Sequence, residues 1–143
     1  VVAKQGSLFE PWNKIQFDYI INDVAGISEE VAAISTWYKN VNCITGIDGT
    51  KLVNQIIKDS KKYLKKNGYL ILPTISLSNE KKILSQMKKI YKKIEVIDFI
   101  DWPLPDEMYA YKKLLYEYKK KKYISFEERW GIIVCRTTVY MLS

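Results

Sequence analysis

The hydrophobic positions of the chain form five runs that predict β-strands. The runs are VVAKQGSLF (1–9), FDYIIN (17–22), GYLILPTI (68–75), IEVIDFI (94–100) and GIIVCRTTVYML (131–142). The second and third runs are continuously apolar, which is typical of strands that are buried on both faces of a parallel sheet. The last run is long and alternates more regularly, so it predicts an antiparallel strand.

Four further segments show the spacing of amphipathic helices: residues 28–38, 48–68, 78–95 and 106–122. In the second segment one face carries apolar side chains and the opposite face carries lysines. That apolar face comprises Leu52, Val53, Ile56, Ile57, Ser60 and Leu64. The expected N-caps are Ser28, then Asp48 or Thr50, then Ser78 or Asn79, and Asn67-Gly68 should end the second helix.

The alternation of strand and helix segments predicts an α/β fold, with a mostly parallel sheet flanked by helices and an antiparallel C-terminal strand. No repeat or linker divides residues 1–143, so one domain is expected. Ligands of such sheets bind beyond the carboxyl ends of the strands. Ser7-Leu8, Asn22-Asp23 and Pro73-Thr74 all fall at predicted strand ends, so we expect them at the same edge of the sheet.

Asn22 and Asp23 carry the clearest candidate chemistry. An asparagine amide offers both a donor and an acceptor, and a carboxylate accepts hydrogen bonds or faces a cation. The small residues that follow, Val24-Ala25-Gly26, leave room for a flat substrate group. The same pattern is also typical of a turn in which the two polar side chains cap their own backbone.

The amino-acid composition of the chain excludes some kinds of functional site. The chain has no histidine, which excludes His-based triads and His metal sites within it. Cys43 and Cys135 lack metal-ligand spacing and predict two buried thiols in a reduced, cytoplasmic setting. No apolar run reaches the roughly 20 residues that span a bilayer, and VVAKQGSLFE does not have the pattern of a signal peptide.

The formal net charge of +7 comes almost entirely from lysine. Arginine, which nucleic-acid readers favour for bidentate contacts, occurs only at Arg129 and Arg136. This balance favours solvated lysine faces, and it leaves a phosphate-binding or RNA-binding surface as the alternative.

Two of the motifs carry a resemblance to a known family. GSLFEPW, followed by FDYIINDVAGI, resembles the class I S-adenosylmethionine-dependent methyltransferases. The most similar are the small methyltransferase domains of release-factor glutamine and ribosomal RNA guanine N-methyltransferases. Those domains carry a strand that ends in an acidic or polar residue, then Leu-Phe, and later F-D-x-I-x-x-N-P-P-Y. Residues 45–79 resemble the helix, turn and buried strand that follow, so the resemblance covers about residues 5–100.

The resemblance implies a partial Rossmann-like fold with S-adenosylmethionine as cofactor. Ser7 and Leu8 would border the adenine, and Asn22 would orient the acceptor lone pair in line with the sulfonium methyl. Positioning would supply most of the catalysis, since the sulfonium is already a good leaving group. The expected catalytic residues are Asn22 and Asp23, the cofactor-binding residues Ser7, Leu8 and Asn22, and the substrate-binding residues Val24, Ala25, Gly26 and Trp37.

The chain departs from the family motif after Asn22. Asp23 and Val24 stand where the family has two prolines, and Ala25 stands where it has an aromatic residue. Trp37 or Tyr38 could supply an aromatic ring from the next helix, although core packing explains either residue as well. A carboxylate at Asp23 could instead hold or deprotonate an amine substrate.

The cofactor loop of the family is also absent. GxGxG does not occur, and the family's second strand, which is followed by an acidic residue that holds the ribose, has no counterpart in this chain. The family sheet has the order three-two-one-four-five-seven-six, and residues 1–9 resemble its third strand. We therefore interpret the single domain 1–143 as the C-terminal portion of a methyltransferase fold that lacks the first two strands and the Gly-rich loop.

Two functional hypotheses follow. The first is an enzyme, or part of one, that transfers a methyl group to a nitrogen or oxygen of a small-molecule or macromolecular acceptor. The second is a non-catalytic binding or assembly module of the same fold that engages a protein or RNA. In both cases we expect the exposed strand edge to need a partner, either the missing N-terminal half or a second copy of the chain.

Overall fold

The computed structural model describes residues 1–24 and 26–143, so the predicted substrate residue Ala25 lies outside the described residues. The strands are β1 (Phe17–Ile21), β2 (Leu64–Ile75), β3 (Ile94–Pro103), β4 (Glu127–Arg129) and β5 (Ile132–Leu142). The α-helices are α1 (Glu29–Ala33), α2 (Lys51–Ser60), α3 (Glu80–Ile90) and α4 (Lys112–Lys120). Short 3-10 helices span Glu10–Trp12, Thr36–Tyr38 and Asp106–Tyr111.

The strands form one mixed sheet in the order β1-β2-β5-β3, with β4 pairing with β5. The fold is therefore α/β, as predicted. Only the β1–β2 pair is parallel, and the other three pairs are antiparallel, so the sheet is not mostly parallel. The expected antiparallel C-terminal strand is confirmed, because β5 runs against both β2 and β3.

The predicted first strand is wrong, since residues 1–9 contain no strand in the structure. The second predicted helix also ends early. Leu64, which was predicted on the apolar face of this helix, lies in β2 instead and pairs with Phe17. At Gly68 the two strands approach so closely that a Cβ atom would lie 2.8 Å from the Phe17 carbonyl oxygen. Pairing with β1 therefore outweighs the local preference for a helix in this segment.

Two other predicted helices are broken. Residues 28–38 contain only α1 and a 3-10 turn, because the Ser28 hydroxyl donates to the Ile47 carbonyl (2.7 Å) instead of capping the helix. Residues 106–122 begin as a 3-10 helix before α4 starts at Lys112. The third helix begins as predicted, because the Asn79 side chain accepts a hydrogen bond from the Lys82 amide (3.1 Å). It ends at Ile90, and the last two residues of the predicted segment, Ile94 and Glu95, lie in β3.

Two hydrophobic cores lie on opposite faces of the sheet. On the first face, α2 and α3 cover Leu70, Leu72 and Leu142 with apolar side chains that include Ile56 and Met87. The second core lies near the carboxyl end of β2 and joins α1 and α4 to the start of β5. Its members include Val31, Met108, Leu115, Ile133 and Cys135.

The cysteines and the apolar runs differ from their predictions in exposure. Cys135 is buried, whereas Cys43 is only half-buried, and both thiols are free. The runs in β1 and β2 are buried on one face only, and Tyr19 and Ile21 in β1 are 61% and 75% exposed. The reason is that α2 and α3 both pack on the first face, and no described helix lies over these two side chains.

Candidate functional site

Asn22 lies directly after the last residue of β1. Its backbone amide continues the pairing with β2 by donating to the Ile71 carbonyl at 3.0 Å. Its side-chain amide nitrogen Nδ2 is buried and has no hydrogen-bond partner among the described residues. A buried donor without a partner costs free energy, and a hydrogen-bond acceptor at this position would satisfy it.

A groove of about 400 Å³ runs beside β1 and ends at Asn22. Besides β1 itself, it is lined by Leu8, Phe9, Trp12, Val24 and Ile56. The N-terminal segment forms its outer wall because Phe9 stacks on Tyr63 with ring centroids 4.6 Å apart. An apolar groove with one unsatisfied amide at its end suits a flat or apolar ligand group that carries a hydrogen-bond acceptor.

The structure brings together only some of the predicted cofactor residues. Leu8, in the left-handed backbone region at φ 47°, shares the groove with Asn22 and Val24. Ser7 is exposed and lines a separate hollow of about 160 Å³ beside Asp59 and Lys62. The Ser7 carbonyl accepts from the Glu10 amide at 3.0 Å, so this residue also serves the turn before the first 3-10 helix.

Asp23 is exposed, and its charge acts on Tyr38, which follows α1. The pKa of Tyr38 is raised above its ordinary value, first by burial and then by the negative charges of Cys43 and Asp23. Tyr38 and Cys43 line a hollow of about 550 Å³ together with Glu29. Burial, followed by the charge of Glu29, raises the pKa of the Cys43 thiol as well.

Trp37 does not join the site. It is 41% exposed and lines neither the groove beside β1 nor the hollow at Tyr38. Trp37 and Tyr38 were the two candidates to replace the aromatic residue of the family motif, and Tyr38 is the one that lies near Asp23. The sequence pattern does not show which of these two side chains lies near Asp23. The direction of each depends on the break between α1 and the following 3-10 turn.

Gly26 was predicted to leave room for a substrate group, and in the structure it lies against α2. A Cβ atom at this position would lie 2.8 Å from Val53 Cγ2, so the missing side chain allows the chain to pass close to α2. The following residues are held by Thr45 and by Leu77. The Thr45 hydroxyl donates to the Ile27 carbonyl, and the Ser28 amide donates to Leu77 (2.9 Å).

The Asn22 side chain makes no hydrogen bond to a backbone group among residues 1–24 and 26–143, so capping by Asn22 gains no contact there. The turn that Asp23 would cap includes Ala25, which lies outside the described residues. The third predicted cluster has a structural role instead. Thr74 lies inside β2 and donates to Glu80 (2.9 Å), and burial raises the pKa of that carboxyl.

A second polar hollow of about 270 Å³ lies between β3, β4 and the start of α3. Asp101 accepts from Arg136 Nε (2.6 Å) and from Arg129 (2.8 Å), and Glu127 also pairs with Arg129 (2.6 Å). Asp101 and Glu127 are paired with these two arginines, so the cluster joins three strands, and the Glu80 carboxyl that lines the same hollow accepts from Thr74.

Comparison of the chain with models of known families, with curated proteins and with solved structures gives no match. In the part of the chain that the structure describes, no helix is long and apolar enough to cross a membrane. The same residues contain no group of three or more acidic, cysteine or histidine side chains that could hold a metal ion.

Proposed function

We propose that the chain is the acceptor-binding, C-terminal part of a class I S-adenosylmethionine-dependent methyltransferase with a partial Rossmann-like fold. The strand order carries this proposal. In β1-β2-β5-β3 the first two strands are parallel, and the last strand of the chain lies antiparallel between the second and third. Strands four, five, seven and six of the resembled family have this arrangement, which is unusual because the final strand enters the middle of the sheet.

The position of Asn22 supports the same function. It stands at the carboxyl end of the strand that corresponds to the fourth strand of the family, with its Nδ2 buried and unpartnered. A carbonyl or ring acceptor on the substrate would satisfy this donor and hold the reacting nitrogen or oxygen in one orientation. The exposed carboxylate of Asp23 would attract an amine substrate or take up the proton that the acceptor loses after transfer.

The residues present fit one side of the cofactor. Leu8 and Asn22 line the same groove, and Leu8 would border the adenine ring there. Bound S-adenosylmethionine would supply an activated methyl group on its sulfonium. A Gly-rich turn and a ribose-binding acid are absent from the sequence, so the chain holds the acceptor and part of the adenine site and needs other residues for the remainder.

The test is methyl transfer by the protein purified from its source cells with the segments or partners that accompany it. Radiolabelled S-adenosylmethionine is supplied with protein, RNA and small-amine fractions as acceptors. Asn22→Ala should lower kcat at least 100-fold with an unchanged melting temperature, since orientation supplies most of the rate. Trp37→Ala is the matched control and should leave kcat unchanged, because Trp37 lies outside the groove. Full activity in Asn22→Ala would remove this residue from the mechanism.

A non-catalytic assembly module is the second candidate, and the uncovered face of the sheet favours it. Calorimetric titration of the same preparation with S-adenosylhomocysteine separates the two. Micromolar binding, about −8 kcal/mol, is expected of the enzyme. A preparation that binds a protein or RNA and takes up no S-adenosylhomocysteine would be the module.

A further inference from the structure

The end of the sheet opposite the candidate site gathers most of the positive charge of the molecule. β1 and β2 begin at this end, where the Phe17 amide donates to the Tyr63 carbonyl at 2.8 Å. β3 begins there as well, because Lys93 exchanges two backbone hydrogen bonds of 3.1 Å with Ser143, the residue after β5. Both α2 and α3 finish at this end, since each is followed within four residues by β2 or β3. We call this surface the basic end.

Lysines from three separate parts of the chain meet at the basic end. Five lie within residues 58–66, four lie within residues 88–93, and Lys14 precedes β1. All ten of these lysines are exposed. Among the described residues, the acidic side chains that share this end are Glu10, Asp18, Asp59 and Glu95.

The rest of the molecule is nearly neutral. Its eleven remaining lysines and two arginines are matched by twelve acidic residues, whereas the ten lysines of the basic end are matched by four. Six units of the formal net charge of +7 therefore belong to the basic end. The sequence does not show this separation, because strand pairing brings residues 14, 58–66 and 88–93 together.

Helix dipoles and local ion pairs account for only part of this charge. The C-termini of α2 and α3 each carry the equivalent of about −0.5 charge, which lysines in the last turn offset. Three of the ten lysines form ion pairs, with Asp18, Asp59 and Glu95. The other seven make no ion pair in the part of the chain that the structure describes. Their mutual repulsion destabilises the fold, and an anionic partner would relieve it.

The surroundings of the lysines favour a nucleic acid over a membrane as this partner. A site that lies on a membrane needs apolar side chains that enter the lipid beside the basic ones. The apolar side chains of the basic end point into the first core instead, and Leu64, Tyr91 and Leu142 are 4%, 3% and 0% exposed. Ile15 is an exception at 39%, and one such side chain gives little membrane affinity.

We propose that the basic end binds the phosphate backbone of a nucleic acid without regard to base sequence. Lysine contacts phosphate as a point charge, whereas bidentate reading of guanine favours arginine. Both arginines of the chain pair with Asp101, away from the basic end. The basic end also lies at the opposite end of β1 from Asn22, so it is separate from the groove. The inference therefore does not depend on methyl transfer.

The probe is a fluorescent single-stranded RNA of about 20 nucleotides, whose anisotropy gives the dissociation constant at salt concentrations from about 50 to 200 mM. Each phosphate contact of a single strand adds about 0.7 to the slope of log Kd against log salt. The triple variant Lys66→Gln, Lys89→Gln, Lys92→Gln removes unpaired lysines of the basic end. Its slope should be lower by about 2, and its affinity at low salt should fall at least tenfold. A DNA strand of the same sequence should bind with similar affinity, since it carries the same charge.

The matched control removes the same charge from the other end of α3 and from the end of α4. It is the triple variant Lys81→Gln, Lys120→Gln, Lys122→Gln, in which Lys81 and Lys122 line one hollow at the start of α3. Its salt slope should stay that of the unmodified chain. The melting temperature of both variants should stay the same or rise, because each loses like charges.

Three results would overturn the proposal. Equal weakening of RNA binding in the two triple variants would assign the attraction to net charge and not to the basic end. Binding of RNA but not of DNA would refute recognition of the phosphate backbone alone. Absence of RNA binding at low salt, with binding to phosphatidylserine vesicles that is lost in the first variant, would make a membrane surface the partner.

Discussion

At the scale of single residues, Gly49 shows how closely the loop behind the candidate site is packed. Its φ is +70°, and a Cβ atom there would lie 2.6 Å from the Ile27 carbonyl carbon and 2.7 Å from the Ser28 nitrogen. Since these neighbours are backbone atoms, they cannot move aside cheaply. Gly49→Ala should therefore lower the free energy of unfolding by about 3 kcal/mol, of which about 1 to 2 kcal/mol is left-handed strain and the remainder overpacking.

Gly131 provides the matched control for that prediction. Its φ is +80°, and a Cβ atom would meet nothing within 4 Å. Gly131→Ala should cost only the conformational strain, about 1 to 2 kcal/mol. Urea unfolding of both variants measures the difference. An equal loss of stability in the two would show that the loop at Gly49 relaxes, and that it does not fix the segment that follows Asn22.

At the scale of elements, Asp101 links three strands through charge. It lies on β3, accepts from Arg136 on β5 and from Arg129 on β4, and hydrogen bonds from these two arginines lower its pKa to about 2. A carboxyl whose pKa is lower in the folded state stabilises the fold above its unfolded pKa, near 3.8. That stabilisation is lost as the pH falls through about 2.

Asp101→Asn should therefore lower the urea midpoint at pH 6, and the difference from the unmodified chain should shrink steadily between about pH 5 and pH 2. Asp106→Asn is the control, because Asp106 is exposed and has no ion pair among the described residues. Its urea midpoint should differ little from that of the unmodified chain throughout the range. A difference for Asp101→Asn that stays constant with pH would assign the effect to packing and not to the ion pairs.

Elements specified by local pattern could be predicted, and elements specified by pairing could not. The apolar stripe and the Asn79 cap locate α3 from sequence alone. Residues 64–67 continue the helical spacing too, but they become strand because β1 lies beside them. Residues 1–9 read as a strand from their apolar content, yet no described strand pairs with them. Strand pairing is a property of distant segments, which a local pattern does not contain.

The candidate site divides in the same way. Asn22 and Val24 could be placed beside one groove because each follows β1 directly, and the position of β1 is clear in the sequence. Leu8 lines the same groove, although the strand that was expected to carry it does not form. Trp37 could not be placed correctly, since α1 stops at Ala33 and the direction of every later side chain changes at that break. The half-burial of Tyr38 near Asp23 depends on the second core, which joins segments far apart in sequence.

At the scale of the whole molecule, stability should decrease across the sheet from β5 to β1. β5 pairs with β2, β3 and β4, and its side chains enter both cores, as Ile133 and Leu142 show. β1 has five residues, pairs only with β2, and leaves one face and one edge open. Regions with few buried contacts open locally at a lower free energy than global unfolding requires.

Native-state hydrogen exchange tests this gradient. The Asn22 amide, which donates to Ile71, should exchange by local opening, with a free energy well below that of global unfolding and little dependence on urea. The amides of β5 that bond to β2 and β3 should exchange only with global unfolding and show the full urea dependence. If Asn22 exchanged with the global value, β1 would already be part of the stable core.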